Sequence, residues 1–242
     1  MKRLRRTAPP AALAAALLAL TACTHSDDDK HTASLTGQQA EALALARFTD
    51  YRAGRADITA TVPLPGNRLL LTARLDWRAH TGYGLLHGTT PGTATPWQHL
   101  LRWNRTTVAA QFNWPGKAPA TPPAHGWSTG RTLNPETSTV DTALALLLNL
   151  AADRPDNAQL LARSGAQKVG ITTIDGQRVT EYTGPATHPA TSSSPSPPAT
   201  ATSHTRYWID SRNALLRFAA LLPGSAEWMT VHITLLAATT AP

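Results

Sequence analysis

The chain has 242 residues, and its 22 Lys and Arg against 15 Asp and Glu give a formal net charge of +7. Four of the basic residues lie within the first six positions, and without residues 1–22 the balance falls to 18 against 15, or +3. So small an excess argues against a nucleic-acid partner. The single cysteine excludes an intramolecular disulfide, so a domain of about 200 residues must be stabilised by its core.

The first 22 residues have the pattern of a secretory signal peptide. Lys2 and Arg3 begin a positive segment, and an apolar run follows from Ala11 to Leu20. The run is about ten residues long, whereas a helix that crosses a membrane needs roughly 20. We therefore expect this run to direct export and not to remain as a span. It ends in Leu20-Thr21-Ala22-Cys23, which resembles the lipobox of bacterial lipoprotein precursors.

The resemblance to a lipobox implies cleavage after Ala22 and attachment of lipid to the sulfur of Cys23. A cysteine suits this reaction because the thiolate is a good nucleophile. Each buried methylene contributes about 0.8 kcal/mol to membrane binding, so two or three acyl chains give a stable anchor. We therefore expect a lipid-anchored protein on the extracytoplasmic face of the cell membrane. The alternative is an ordinary signal peptide that happens to end near a cysteine.

A flexible tether is predicted for residues 23–36, which are polar and include three consecutive aspartates, Asp27 to Asp29. These aspartates lack the alternating ligands and the turn glycine of a calcium loop, so we expect no metal there. Residues 37–242 are expected to form a single domain, because no linker divides this part of the chain near its middle.

The predicted domain begins with a helix over about 37–47. Thr36 and Gln39 have the spacing of a capping box, and apolar residues follow at helical intervals. From Phe48 onward the pattern becomes strand-like, most clearly at 69–78, where apolar and polar residues alternate as on a half-exposed antiparallel strand. Similar segments predict an antiparallel meander, at about 51–62, 82–88, 97–104 and 106–114.

Two helices are predicted in the middle of the chain. Residues 140–151 are apolar nearly all round, which indicates a helix buried on most sides that either plugs the core or covers a cavity as a lid. A shorter helix is expected over 155–163, ended by Gly165. Strands follow at 166–174 and 177–183, joined by Asp175-Gly176, which is a strong hairpin signal.

The last part of the chain combines an insert with three strands. Residues 185–205 consist mostly of Pro, Ser, Thr and Ala, and we expect them to be a disordered insert because such a composition does not build a packed core. The final strands are predicted at 206–211, 214–222 and 226–236. The expected fold class is α+β, with a curved antiparallel sheet covered by a few helices.

Two motifs, together with this order of elements, resemble a known family. The first is the Asp-Gly hairpin at 175–182, and the second is Tyr207-Trp208-Ile209-Asp210 with Leu215 and Arg217, which is similar to a W-V-D strand ending in L-x-R. The resemblance is to the lipoprotein-carrier (LolA-like) fold and to the LppX/LprG-type lipoproteins built on it. The insert at 185–205 departs from the family's layout. The resemblance implies a half-barrel whose mouth is closed by helices over a cavity for acyl chains.

That resemblance implies a protein that binds or transfers a lipid, a glycolipid or another hydrophobic ligand. Seven apolar residues are candidate ligand contacts: Leu71, Leu75, Trp77, Leu144, Leu147, Leu148 and Trp208. The same residues are equally consistent with a dry core. The alternative function is a non-catalytic sensor or interaction module of the envelope without a bound lipid, and the sequence does not indicate its protein partner.

We expect no catalysis, no cofactor and no metal site. Gly126-Trp127-Ser128-Thr129-Gly130 matches the G-x-S-x-G pattern, but a nucleophile elbow needs a strand before it and a helix directly after it. A Pro-rich segment precedes it instead. The nine histidines show no metal-ligand spacing. Seven tryptophans could stack on sugar rings, but most fall on predicted strands, which favours a role in the core.

Overall fold

The computed structural model describes residues 34–236 except 91, 93, 94 and 188–201. Blocks of helices and blocks of strands alternate along this part of the chain. In this part of the chain the helices are α1 (Gly37–Ala53), α2 (Thr139–Leu148) and α3 (Ala158–Arg163). The strands are β1 (Arg55–Leu64), β2 (Asn67–Asp76), β3 (Thr81–Thr89), β4 (Pro96–Asn104), β5 (Thr107–Gln111), β6 (Arg131–Thr132), β7 (Lys168–Ile174), β8 (Gln177–Thr183), β9 (Ala186–Thr187), β10 (Thr202–Ser203), β11 (Thr205–Asp210), β12 (Leu215–Leu221) and β13 (Trp228–Leu235).

Eleven of these strands form one open antiparallel sheet, in the order β6-β5-β4-β3-β2-β1-β13-β12-β11-β8-β7. The predicted meander is the run from β1 to β5, and β13 joins the last strands to β1. The sheet does not close, since β6 and β7 lie at its two edges. The predicted fold class, α+β with an antiparallel sheet covered by helices, is confirmed.

The helices cover one face of this sheet. α1 packs on β1, β11 and β12, α2 packs on β1, β3 and β4, and α3 packs on α1. On β2 the residues facing the helices are buried, namely Leu69, Leu71, Ala73 and Leu75, and Thr72 and Arg74 between them are exposed. A smaller apolar cluster contains Trp208, which directly follows Tyr207 of the main core and so faces the opposite side of the sheet.

The N-terminal helix is longer than the sequence predicts. Its predicted capping box is present: the Thr36 hydroxyl accepts the Gln39 N–H at 3.3 Å, and the Thr36 N–H donates to Gln39 Oε1 at 3.0 Å. The helix continues to Ala53 and ends at Gly54, whose φ is 81°. The helix can continue past Arg47 because the aromatic and β-branched residues that follow disfavour a helix only weakly. The strand that was expected from residue 51 begins at Arg55.

Two tryptophans of the sheet fix α2 in place. Trp77 Nε1 donates to the Leu147 carbonyl at 3.1 Å, and Trp103 Nε1 donates to the Leu144 carbonyl at 3.2 Å. Gly82 makes room for Trp103, since a Cβ at that position would overlap with the indole ring. With Ala143, Leu144, Leu147 and Leu148 all buried, α2 is covered on most sides, as its composition predicts.

Two connections differ in how well the sequence predicts them. The Asp175-Gly176 hairpin is present between β7 and β8, with both residues at positive φ, 49° and 77°. The predicted insert at 185–205 is corrected at both ends, because β9 pairs with β10 and the Ala186 N–H donates to the Ser164 carbonyl at 2.8 Å. The rest of that insert, 188–201, lies outside the described residues.

The predicted signal peptide, Cys23 and most of the predicted tether also lie outside the described residues. The end of that tether is corrected: Ser34 pairs with Gln167, Leu35 is buried in the core and Thr36 caps α1. All described residues belong to one compact unit. Among the helices of the described ranges, none has the length and apolar character that a membrane span requires.

Candidate functional site

A mostly apolar cleft of about 470 Å³ lies between the helices and the part of the sheet formed by β11 and β12. We call it the α1–α3 cleft. Its apolar lining comes from all three helical segments and both strands: Leu43, Leu146, Leu150, Leu160, Leu161, Tyr207 and Phe218. Cavities that bind small ligands usually measure roughly 300–1,000 Å³ and are lined mainly by apolar and aromatic side chains. The cleft therefore has the size and lining of a small-molecule site.

The helical wall of the cleft is held by backbone hydrogen bonds. Leu43 and Arg47 are four residues apart and so share one face of α1. The loop between α2 and α3 is attached to that helix, because the Ala152 N–H donates to the Arg47 carbonyl and the Asp156 N–H to the Ala44 carbonyl, both at 3.0 Å. These bonds place Leu160 and Leu161 of α3 across from Leu43.

The mouth of the cleft carries an exposed apolar side chain. Asn157 caps α3 by accepting the Leu160 N–H at 3.1 Å, which fixes where the helix begins. Leu160 itself is 65% exposed although it lines the cleft. Because its side chain remains exposed, Leu160 contributes little to the stability of the fold. An apolar ligand in the cleft would cover this side chain.

The strand wall is aromatic. Tyr207 of β11 and Phe218 of β12 are register partners, and their ring centroids are 5.1 Å apart with the planes at 65°. Burial raises the pKa of the Tyr207 phenol, so this group stays neutral and protonated at physiological pH. Thr205 of β11 also lines the cleft, so the strand wall offers aromatic surface and two hydroxyl groups, without a charge.

The charged groups that line the cleft neutralise each other. Arg47 lies 3.2 Å from an Asp156 oxygen, and its Nε donates to the Asn149 carbonyl at 3.1 Å. Both side chains are about one-third exposed, 31% for Arg47 and 37% for Asp156. Within the described residues, these two are the only charged side chains in the cleft lining. The arrangement suits non-covalent binding of a largely apolar, uncharged chain, with polar contacts near the ion pair.

The structure brings six of the seven predicted contact residues together in the main core, away from the cleft. Leu71, Leu75, Trp77, Leu144, Leu147 and Leu148 are each at most 2% exposed. Leu144 also lines a smaller cavity of about 320 Å³ under α2. Trp208 lies in the separate cluster on the other face of the sheet. These seven residues fill cores, and their contact with a ligand stays a prediction.

The residues that line the cleft were missed because the sequence gives no clear signal for them. β11 is apolar on both faces, with Tyr207 and Trp208 adjacent, so alternation does not decide which residue faces the helices. Trp208 is the predicted contact on this strand, and the structure places Tyr207 at the cleft instead. Leu160 and Leu161 belong to a six-residue helix, too short for periodicity to define a face.

Ser128 of the G-x-S-x-G pattern lies in an irregular segment beside the edge of the sheet. Its hydroxyl accepts the Ala110 N–H at 3.1 Å, and its own N–H donates to the Ala110 carbonyl at 2.8 Å. The two-residue strand β6 follows the pattern, where an elbow needs a helix. Over the described ranges, no group of three or more His, Cys, Asp or Glu residues is placed to hold a metal ion.

Comparison with known proteins does not establish a family. No protein-family model and no curated protein matches the sequence. The structure is similar to an uncharacterised conserved protein from Thermus thermophilus, with a TM-score of 0.35 and 9% identity over 80% of this chain and 85% of that one. It is also similar to a putative outer membrane lipoprotein-sorting protein domain from Vibrio parahaemolyticus, with a TM-score of 0.23 and 10% identity over 86% and 95% of the two chains.

Proposed function

We propose that this protein is a membrane-anchored extracytoplasmic lipoprotein that binds or transfers a lipid or another hydrophobic ligand in the α1–α3 cleft. The observation that carries the proposal is the cleft itself, about 470 Å³ with a mostly apolar lining and an exposed leucine at its mouth. The lipobox-like Leu20-Thr21-Ala22-Cys23 supports a location at a lipid surface. No catalytic step is part of the proposal.

The binding experiment is mass spectrometry of lipid that copurifies with the chain. The Cys23→Ser variant is the suitable form, because without the anchor it should be soluble and need no detergent to compete for the cleft. We expect lipid in near-equal proportion to protein. The same preparation of Cys23→Ser with Leu160→Glu should carry much less lipid, since a carboxylate would stand at the apolar mouth. An empty chain that instead captures a specific protein would favour the interaction module.

The anchor is tested separately by cell fractionation. We expect the native chain in the membrane fraction and the Cys23→Ser variant in the medium, because substitution removes the only thiol that could carry the acyl chains. Retention of the variant in the membrane fraction would contradict the proposed anchor.

A further inference from the structure

A second and larger concavity, of about 660 Å³, lies against the face of the sheet that the helices leave uncovered. We call it the outer groove. Its floor is set by strand register: Arg74 lies opposite Tyr83, Tyr83 opposite Arg102, and Arg102 opposite Ala109. On their strands Arg74 and Arg102 alternate with buried neighbours, so this row crosses β2 to β5 on the outer side of the sheet.

A second row runs beside the first. Arg55 lies opposite Asp76, Asp76 opposite Thr81, and Thr81 opposite Asn104, and all four residues line the groove. The floor therefore combines guanidinium, carboxylate, hydroxyl and amide groups within two adjacent rows. Such a mixture of donors and acceptors suits a ligand with several hydroxyl groups.

The charges of the groove leave one arginine without a counter-ion. Arg55 Nε lies 2.9 Å from Asp76, and Arg74 Nε lies 2.9 Å from Asp57, so both are neutralised. Arg102 has no carboxylate partner within the part of the chain that the structure describes. Its guanidinium carbon lies instead 4.5 Å from the centre of the Trp127 ring, in range for a cation–π contact that orients it.

The outer wall of the groove is a long irregular segment, 112–130, that folds back over the sheet. It is held at its far end by the Ser128–Ala110 hydrogen bonds, and the Gln111 side chain donates to the His125 carbonyl at 2.8 Å. Trp127 meets Tyr83 edge to face at 6.4 Å. Loops of this length without secondary structure are uncommon in compact domains and are usually functional or disordered. This one is described throughout and forms a wall.

We propose that the outer groove binds a sugar that carries a carboxylate or a phosphate, with the anion on Arg102 and sugar hydroxyls on the second row. The planar guanidinium matches the two oxygens of such an anion, and Trp127 holds it in one orientation. Tyr83 lies in the same row and lines the groove, and its hydroxyl is buried without a hydrogen bond within the described residues. The site lies on the other face of the sheet from the α1–α3 cleft, so either proposal can fail without the other.

The test is isothermal titration of the full chain in a polyoxyethylene detergent with glucuronate, glucose 6-phosphate and uncharged glucose. We expect both anionic sugars to bind and glucose to bind roughly tenfold more weakly or not at all. Arg102→Gln should weaken the anionic sugars about tenfold or more, because it removes the charged donor. Arg102→Lys keeps the charge but loses the two parallel N–H donors of the guanidinium. Its affinity for the anionic sugars should lie between those of the native chain and of Arg102→Gln. The control is Arg154→Gln, which removes the same charge from the α2–α3 loop and should bind as the native chain does.

A vesicle assay distinguishes a free sugar from a lipid-borne one. Phosphatidylcholine vesicles with and without a glucuronosyl diacylglycerol replace the free sugars. The detergent-free Cys23→Ser chain is used, alone and combined with Arg102→Gln or Arg154→Gln, because an acyl anchor would insert into both kinds of vesicle. Binding of the free sugars, or of the glucuronosyl vesicles alone, supports the site when Arg102→Gln weakens that binding about tenfold or more. The probe that binds identifies the source of the sugar. Equal binding of glucose and glucuronate, an unaffected Arg102→Gln variant, or no binding in either assay would overturn the proposal.

Discussion

Asp50 is a buried carboxyl group on α1 whose protonation should set part of the pH dependence of stability. It is 0% exposed, its Oδ1 accepts the Leu215 N–H at 3.2 Å, and its Oδ2 makes no hydrogen bond within the described residues. Burial raises its pKa well above the usual value, against the lowering effect of the Leu215 hydrogen bond, and the charge of Asp210 raises it further. A pKa raised on folding gives stability that is complete below the unfolded pKa of about 3.9 and is lost as the pH rises through the folded pKa.

We therefore expect Asp50→Asn to remove this loss, because the amide is neutral at every pH and keeps the Oδ1 acceptor. Urea unfolding at pH 5 and at pH 8 measures the effect. The free energy of unfolding of the variant, relative to that of the native chain, should be larger at pH 8 than at pH 5. If this difference is the same at the two pH values, Asp50 ionises in the folded protein as easily as in the unfolded one.

The Arg131–Asp141 pair should give a pH dependence of stability opposite to that of Asp50. Asp141 is 0% exposed and accepts two hydrogen bonds from Arg131, at 2.6 and 2.7 Å, and one from the Asn134 N–H at 2.8 Å. Burial opposes its ionisation, but the hydrogen bonds from Arg131 and Asn134 outweigh burial and hold its pKa below the usual value. A lowered pKa gives stability that is present above the unfolded pKa of about 3.9 and lost as the pH falls through the folded value.

Arg131→Met should accordingly destabilise the protein by about 1–3 kcal/mol at pH 7, because a buried carboxylate loses its charged partner. The loss should shrink as the pH falls, because burial raises the pKa of Asp141 once Arg131 is gone and the protonated carboxyl group needs no charged partner. Arg68→Met is the matched control: its partner Glu227 is 57% exposed, and exposed pairs contribute less than about 1 kcal/mol. Equal losses in the two variants would contradict the role given to Asp141.

At the scale of elements, α2 depends on the indole donors of the sheet. Trp103→Phe removes the bond to the Leu144 carbonyl and part of the volume over Gly82, so we expect a loss of about 1–3 kcal/mol. Amide exchange should become faster in α2 and not in α1. Trp228→Phe provides the control, because Trp228 is half-buried on β13 and contacts Arg206. Unchanged exchange in α2 of the Trp103 variant would contradict a role for this indole donor in holding the helix.

Elements were predictable where local chemistry decides them. The Thr36–Gln39 capping box and the Asp175-Gly176 turn both stand where the sequence places them, because each needs only neighbouring residues. The extension of α1 to Ala53 was not predictable, since Phe48 and Tyr51 favour a strand and only packing overrides them. The insert ends were likewise missed, because pairing of β9 with β10 joins residues on either side of the insert.

At the scale of the whole molecule, the sequence predicts the architecture, but it does not predict the α1–α3 cleft. The order of strands gives an open antiparallel sheet with helices on one face, as the pattern of apolar residues predicts. The α1–α3 cleft brings together residues that are far apart in the sequence, such as Leu43 and Phe218. The topology of the fold sets this proximity, and no local sequence pattern predicts it. The seven predicted contacts are five leucines and two tryptophans, and they lie in cores because burial of their apolar area stabilises the fold.

The central claim is that an apolar ligand occupies the α1–α3 cleft, and its most direct measurement is titration of a fluorescent, uncharged fatty-acyl ester into the detergent-free Cys23→Ser chain. Leu160→Glu places a charge at the mouth, whereas Val169→Glu changes a comparably exposed apolar residue, 52% against 65%, that lies on the edge strand β7. We predict that Leu160→Glu weakens binding about tenfold or more and that Val169→Glu leaves the dissociation constant unchanged. Equal affinity of both variants and the parent, or no binding to the parent, would contradict the claim.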